Sequence, residues 1–328
     1  MKNFAYACVE RGGSLRPLIV DSLHTNGTGL FNPSVFYDKE NDKLLINIRH
    51  CQYTLYHSEK NVYEYHWGPL LYLNPENDIT LTTTNFFGEL NDDLSIKYIN
   101  KVDTSKLDKK PLWQFVGLED ARVVKWHDKY YLMGVRRDTT TNGEGRMESS
   151  RIEWGEDWCR EVSRTRFPAP NPNTSYCEKN WMPILDQPGK FVKWANPIEI
   201  VKCYSNGVET QTETTTLKSS QNFDWDQRGG GQVIPWEDGY LMLTHETNLF
   251  QSEAGRKNAT YRHRFSYWTK DFELISKSDR FDFMDAKIEF ACGLAEYKDK
   301  ILISFGFQDN AAFIVSCPNN YMKEIMNV

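Results

Sequence analysis

One pattern recurs five times along the chain and constrains its fold more than any other feature. A short polar turn leads at once into an apolar run: Asn41-Asp42-Lys43 before LLINIR, His127-Asp128-Lys129 before YYLMGVR, and Pro188-Gly189-Lys190 before FVKW. It returns as Glu237-Asp238-Gly239 before YLMLTH and as Lys298-Asp299-Lys300 before ILISFG. Asn, Asp and Gly tolerate the backbone angles of tight reversals, and the runs carry the clustered or alternating apolar residues of strands. Few long segments keep apolar residues at i, i+3, i+4 and i+7, while Gly, Pro, Asn and Asp punctuate the whole sequence. The expectation is an all-β fold of five hairpin-based units. Dividing 328 residues by five gives about 66 per unit, more than the ~40–50 of a minimal propeller blade. A five-bladed β-propeller with long rim loops accommodates that excess, and a pair of β-sandwiches is the alternative arrangement. No charge run or low-complexity block marks a linker, so residues 1–328 read as a single domain. Polar loops at 74–112, 139–180 and 205–230 are expected on one rim, where a rigid scaffold commonly carries function.

Charge narrows the partners. With 45 acidic and 39 basic side chains the net charge is −6, which argues against a large nucleic-acid surface or a broad contact with an anionic membrane. No window approaches the ~18 consecutive apolar residues of a spanning helix, and the opening MKNFAYACVERGG meets Glu10 and Arg11 before any apolar stretch that would read as a secretory signal. The seven cysteines are scattered, with no C-x-x-C pair, as in a reduced, cytoplasmic protein. The Asn-x-Ser/Thr triplets at Asn26, Asn173 and Asn258 would then carry no glycan.

Several short segments combine residues suited to chemistry. Gly117-Leu118-Glu119-Asp120-Ala121-Arg122 sets two carboxylates beside a guanidinium just before an apolar strand. One carboxylate can be held in an ion pair while the other acts as general acid or base; a salt-bridged turn at a strand edge is the structural alternative. Glu178-Lys179-Asn180-Trp181-Met182-Pro183 joins charge, amide and a large aromatic face, a composition suited to a sugar or a phosphate and equally to a loop with a buried Trp. Arg228-Gly229-Gly230-Gly231 offers unobstructed backbone amides to an anion, or a sharp bend into the next strand. His245-Glu246 and Arg262-His263-Arg264 concentrate cationic donors, so that His245 and Arg264 could clamp a phosphate. Asp309 closes ILISFGFQD at a strand end. Metal signals are poor: only Asp224-Trp225-Asp226 gives an Asp-x-Asp pattern, so no cofactor and no obligatory divalent ion are expected.

In order along the chain, these segments resemble the β-mannoside phosphorylase family, glycoside hydrolase family 130, and its glycosyltransferase-like relatives, which are five-bladed propellers. The resemblance rests on Asn32-Pro33-Ser34 with Arg49, Gly117 to Arg122, Lys179-Asn180-Trp181, Gly229 to Gly231 with His245, and Cys292-Gly293 followed by Phe305-Gly306-Phe307-Gln308-Asp309. It spans about residues 31 to 315. The family's Glu-Asp-Pro-Arg is here Glu119-Asp120-Ala121-Arg122, and its Tyr-His-Gly is Thr244-His245-Glu246. Tyr261 to Phe265 and Ile288-Glu289-Phe290 look like the transferase-like branch, which is associated with glycan assembly.

The resemblance implies that Asp120 is the catalytic carboxylate. It would act as a base toward an acceptor hydroxyl in an inverting transfer from a nucleotide sugar, or as an acid in a phosphorylase. Lys179 and His245 match phosphate-contacting positions, to which charge alone adds Arg228 and Arg264. Arg49, Glu119, Arg122, Asn180, Trp181 and Asp309 fall on the substrate side. The function expected is that of a glycosyltransferase using a nucleotide sugar and a hydroxyl-bearing acceptor; a glycoside phosphorylase or hydrolase, or a non-catalytic glycan-binding propeller, are the alternatives.

Overall fold

The computed structural model describes residues 3–25, 29–55, 63–65, 68–72, 80–171, 173, 175–205, 209–217, 227–251 and 257–328. The chain is all-β, and among the described residues twenty strands pair in five antiparallel groups of four, beside a smaller sheet of Tyr53–Leu55, Tyr63–Tyr65 and Gly68–Tyr72. The first unit holds Leu30–Asp38, Lys43–Cys51, Leu81–Leu90 and Ile96–Asp103; the second holds Glu119–Trp126, Lys129–Arg136, Arg146–Trp154 and Cys159–Arg166. The third contains Met182–Pro183, Lys190–Ala195, Ile198–Ser205 and Thr210–Leu217. The fourth contains Ile234–Trp236, Gly239–Gln251, Lys257–Trp268 and Leu274–Lys277, with Arg228–Gly229 pairing ahead of it. In the fifth, Glu289–Tyr297, Lys300–Phe307 and Ala311–Pro318 are completed by Ser14–Pro17 from the other end of the chain.

The five turns read from the sequence all join the first strand of a unit to its second. Each contains a residue in the left-handed region: Asp42 at φ 50°, His127 and Asp128 at 50° and 57°, Gly189 at 77°, Glu237 at 48° and Lys298 at 53°. Reversals with φ > 0 match the right-handed twist of the strands they join, so short turns select this geometry.

Successive units are sealed by apolar seams. Leu45 and Phe87 of the first unit pack with Val123 and Leu132 of the second; Val124 and Met133 pack with Phe191 and Val201 of the third. Val192 and Ile198 meet Tyr240 and Met242, while Leu241 and Phe265 meet Ile301 and Phe305. Leu302 and Ile314 then meet Leu44 and Ile46, which brings the circle back to the first unit. Neighbouring residues such as Leu44 and Leu45 thus enter different seams, which is why these strands read as continuous apolar runs: both faces of the sheet are buried.

The first strands contact one another around a common centre, with Leu30–Asp38 touching both Glu119–Trp126 and Glu289–Tyr297. There the fully buried Gln232 donates to Ser34 Oγ, Val35 O and Val123 O at 3.2, 3.1 and 2.9 Å and accepts from Leu294 N at 2.9 Å. One amide so ties four units together. The segments expected as long rim loops contain much of the outer sheet: 74–112 holds Leu81–Leu90 and Ile96–Asp103, 139–180 holds Arg146–Trp154 and Cys159–Arg166, and 205–230 holds Thr210–Leu217. These outer strands are polar because one side of many of them meets solvent, as in TQTETTTL, and that polarity reads as loop when no partner strand is in view.

Candidate active site

Irregular backbone at the same end of several first strands builds one cavity. In the first unit the register shifts between Phe31 and Ser34, with Asn32 at φ 48°. In the second it shifts between Glu119 and Arg122, with Asp120 at φ 50°. Asn180, at φ 61°, stands just before the first strand of the third unit, and a further shift separates Ala291 from Gly293 in the fifth. A bulge re-aims the side chain it carries, and Asn and Asp tolerate the left-handed region that the bulge requires.

The cavity measures about 260 Å³ and is bordered by Arg49, Glu119, Asp120, Lys179, Asn180, Arg228, His245 and Asp309, together with Asn32 and a set of rings. Eight of the eleven side chains singled out in the sequence therefore converge here. A roomier hollow of about 650 Å³ lies between the first two units, where several charges pair with one another, as in Lys97–Glu89 at 2.7 Å and Arg151–Glu153 at 3.0 Å.

At one side the buried Arg49 organises the carboxylates. Its Nη1 donates to Asp120 Oδ1 at 2.8 Å, its Nη2 lies 3.5 Å from Glu119 Oε2, and its Nε donates to Thr83 Oγ1 at 3.1 Å. Asn32 Nδ2 adds a second donor to Asp120 Oδ1 at 2.7 Å. Adjacent residues of a regular strand point to opposite faces, yet Glu119 and Asp120 meet the same guanidinium, because the bulge turns Asp120 back. Burial alone would raise the Asp120 pKa, but the charge of Arg49, the Asn32 hydrogen bond and the nearby Arg122 outweigh it and hold Asp120 below the usual aspartate value.

Asp309 stands opposite this trend. It sits at φ 52° in the turn after Lys300–Phe307, makes no hydrogen bond among the described residues, and is pushed up to about 6 by burial, with Asp120 adding to the rise against Arg49 and Lys179. His245 is buried between Tyr261, stacked at 5.4 Å, and Phe290, edge-on at 5.0 Å. Burial first, then His263, Arg228, Arg122 and Lys179, holds it well below the usual histidine value. His245 is thus neutral at pH 7 rather than the cationic clamp expected from its charge type, and its Nδ1 is buried without a partner. Lys179 and Arg228 supply the positive charge: among the described residues neither forms an ion pair.

Three side chains lie outside the cavity. Arg122 is buried beneath it, donating to Asp120 O at 2.6 Å, to Gly230 O at 2.9 and 2.7 Å, and to Asn180 Oδ1 at 3.4 Å. Trp181 is fully buried in the seam between the second and third units, with Nε1 donating to Glu178 at 3.0 Å, so no face is open to a sugar. Arg264 donates to Ser278 O at 2.6 Å and lies 4.0 Å from Glu246, turned from the cavity. The glycine run is a close crossing: Gly229 pairs with Thr244, and Gly230 N donates to Leu243 O at 3.1 Å rather than to an anion. The Asp224-Trp225-Asp226 pattern and Asn26 lie outside the described residues. Among those described, no group of three His, Cys, Asp or Glu side chains is placed to hold a metal ion, and no helix is long and apolar enough to cross a membrane.

No family model matches the sequence, and no curated protein matches it. Solved structures do. The β-1,2-mannobiose phosphorylase of Listeria innocua is 14% identical, with 95% of this chain and 96% of that one covered at a TM-score of 0.54. A member of the GH130 mannoside phosphorylase family, in which hydrolases target β-1,2-mannosidic linkages of Candida mannan, is 13% identical over 88% and 84% of the chains at 0.54. The mannose phosphorylase MPT-4 of Leishmania mexicana, solved with a phosphate ion, is 13% identical over 97% and 93% at 0.50. This chain has a GH130-like fold. Identities this low establish the fold and assign no residue roles.

Within the GH130-like fold, the residues that reading the sequence passed over are mainly rings. Phe31 carries the Arg49 guanidinium at 4.9 Å, and Tyr53, Leu81 and Phe115 were not singled out either; Tyr261, Ile288 and Phe290, which complete the border, lie in segments already likened to the transferase-like branch. Asn32 was already visible within Asn32-Pro33-Ser34. Tyr53 and Phe115 come from the short strands Tyr53–Leu55 and Phe115–Val116, outside the five hairpins that the sequence signals.

Proposed function

We propose that this protein is a glycosyltransferase on a five-bladed propeller, moving a sugar from a nucleotide-sugar donor to a hydroxyl acceptor by single displacement. The observation that carries this reading is an ionised carboxylate, Asp120, sharing one small cavity with two cations, Lys179 and Arg228, that have no ion-pair partner among the described residues. A carboxylate held deprotonated has no proton to deliver as an acid, whereas it already stands in the form that a base requires. Asp120 takes the acceptor's hydroxyl proton as that oxygen bonds the anomeric carbon. The bond from that carbon to the diphosphate breaks, and its electron pair leaves with the nucleoside diphosphate, whose charge Lys179 and Arg228 stabilise. Neutral His245 serves as a hydrogen-bond donor rather than a charge.

Phosphorolysis is the second reading, supported by the phosphate-bound relative of the same fold; phosphate would then take the place of the diphosphate. The test is a thermal-shift panel of nucleotide sugars against inorganic phosphate, followed by turnover assays on whatever binds. Stabilisation by a nucleotide sugar, with release of nucleoside diphosphate on adding acceptor, supports transfer. Stabilisation by phosphate alone, with phosphate-dependent release of a sugar 1-phosphate from a β-mannoside, replaces transfer by phosphorolysis. We further propose that the donor binds without an obligatory divalent ion, so chelation should leave turnover within about twofold; abolition by chelator and recovery with Mn²⁺ or Mg²⁺ would contradict this.

A further inference from the structure

Arg137 follows directly on Arg136 at the end of the strand Lys129–Arg136, where the second unit borders the cavity. Its neighbour is neutralised: Arg136 donates to Glu148 at 2.9 Å and lies 3.4 Å from Asp138. Arg137 forms no ion pair among the described residues, and its Nε is buried without a hydrogen-bond acceptor. Two rings hold it instead, its guanidinium carbon standing 5.4 Å from the centroid of Phe115 and 5.6 Å from that of Tyr176.

One ring stands in the cavity wall and the other on the segment that carries Lys179. Phe115 lines the cavity, and Tyr176 begins the stretch that continues through Cys177 and Glu178 to Lys179. That stretch is pinned on Gly145, whose N–H donates to Tyr176 O at 3.1 Å and whose carbonyl accepts from Glu178 N at 3.0 Å. A Cβ at Gly145 would stand 2.6 Å from Cys177 Sγ and 3.5 Å from Arg137 Nε, so Arg137 packs on the same segment that carries Lys179.

Arg137 is half-buried and has no carboxylate partner among the described residues, and its unpaired Nε is the part withdrawn from water. Stacking between rings instead fixes the plane of a fork that matches two oxygens of a phosphate. We propose that Arg137 forms a second anion subsite next to that of Lys179 and Arg228, receiving the outer phosphoryl group of a diphosphate whose sugar-side phosphoryl group sits at Lys179 and Arg228. This rests on the transfer reading, since a diphosphate leaving group occupies two subsites and inorganic phosphate only one.

The experiment is calorimetric titration of the full chain with inorganic phosphate and with inorganic pyrophosphate, on the native protein, Arg137→Gln and Arg137→Lys, with melting temperatures to verify folding. The native protein should bind pyrophosphate at least ~10-fold more tightly than phosphate, and Arg137→Gln should cut that preference below ~3-fold by weakening pyrophosphate alone. Arg137→Lys, which keeps charge and stem but not the fork, should lose an intermediate amount and carries the test if the Gln variant does not fold. Equal losses for both anions, or none for either, would overturn the subsite. A native protein that binds phosphate and gains nothing from the second phosphoryl group sinks this inference and leaves an anion-using reaction standing. One that binds neither anion removes the functional reading as well.

Discussion

Arg49 holds two carboxylates at once, and that sharing decides how each should respond to substitution. Asp120→Asn keeps the size of the side chain and leaves Glu119 to neutralise Arg49, so the protein should fold while turnover falls at least ~10²-fold, the usual lower range for a lost general base. Glu119→Gln leaves Asp120 on Arg49 and should lower the melting temperature more than turnover. Steady-state kinetics and melting curves on both variants decide the matter; collapse of turnover in Glu119→Gln with near-normal Asp120→Asn would reverse the assignment. Asp309 makes a separate prediction through pH. Its pKa is raised by burial from 3.8 to about 6, so ionisation costs the folded state more than the unfolded one. The stability linked to its protonated form is fully present below about pH 4 and is lost as pH rises through about 6. Asp309→Asn should therefore match the native unfolding free energy near pH 4 and exceed it at pH 7.5, by about 1–2 kcal/mol once partial solvent access is allowed for. An equal difference at both pH values would remove Asp309 as the cause.

At the scale of elements, the site depends on how the first strands cross. Asn32, Asp120 and Asn180 are displaced from regular strand geometry by left-handed residues, and the displacement is what turns them toward one cavity. Gly229 makes this crossing possible in the fourth unit: a Cβ there would lie 1.9 Å from Asn180 O and 2.7 Å from Met182. Gly229→Ala must push apart the segments bearing Asn180 and Arg228. It should cost ~2–4 kcal/mol in urea unfolding and abolish turnover, as overpacking against backbone does. Gly12→Ala is the matched control, since nothing stands within 4 Å of a Cβ there and only the strain of φ +87° remains. A Gly229→Ala protein as stable as the control would show that the crossing has slack.

At the scale of the molecule, the circle is closed by its two ends. Ser14–Pro17 pairs with Ala311–Pro318 from Ser14 opposite Ser316 to Pro17 opposite Phe313, and Phe4, Ala5 and Cys8 are fully buried in the seam between the fourth and fifth units. We propose that residues 1–328 form one cooperative unit. Deleting residues 1–17 should then lower the melting temperature by ~10 °C or more, because it removes buried apolar surface and bares a sheet edge. A change under ~3 °C would mean that the ring holds without its clasp, and a stable folded half released by limited proteolysis would refute the single unit itself.

The class of fold is legible locally, because a polar turn followed by an apolar run needs no partner to be recognised: Asp42, Asp128, Gly189, Glu237 and Lys298 reveal their turns with no knowledge of neighbours. The sequence by itself also drew attention to Glu119, Asp120, Lys179 and Asp309, conspicuous as residue types beside strand ends, which the fold brings to one cavity. The outer strands were not legible, because the polarity of Thr210–Leu217 belongs equally to a loop until a partner strand is present. Nor could side-chain direction be read. Trp181 looked like a sugar platform and is core, and Glu119 and Asp120 looked opposed and share Arg49, because a single bulge reverses the side that a residue faces. Protonation was the most hidden of all. His245 is neutral, Asp120 ionised and Asp309 raised through burial and through charges brought from distant parts of the chain, and only the closed circle of strands sets those distances.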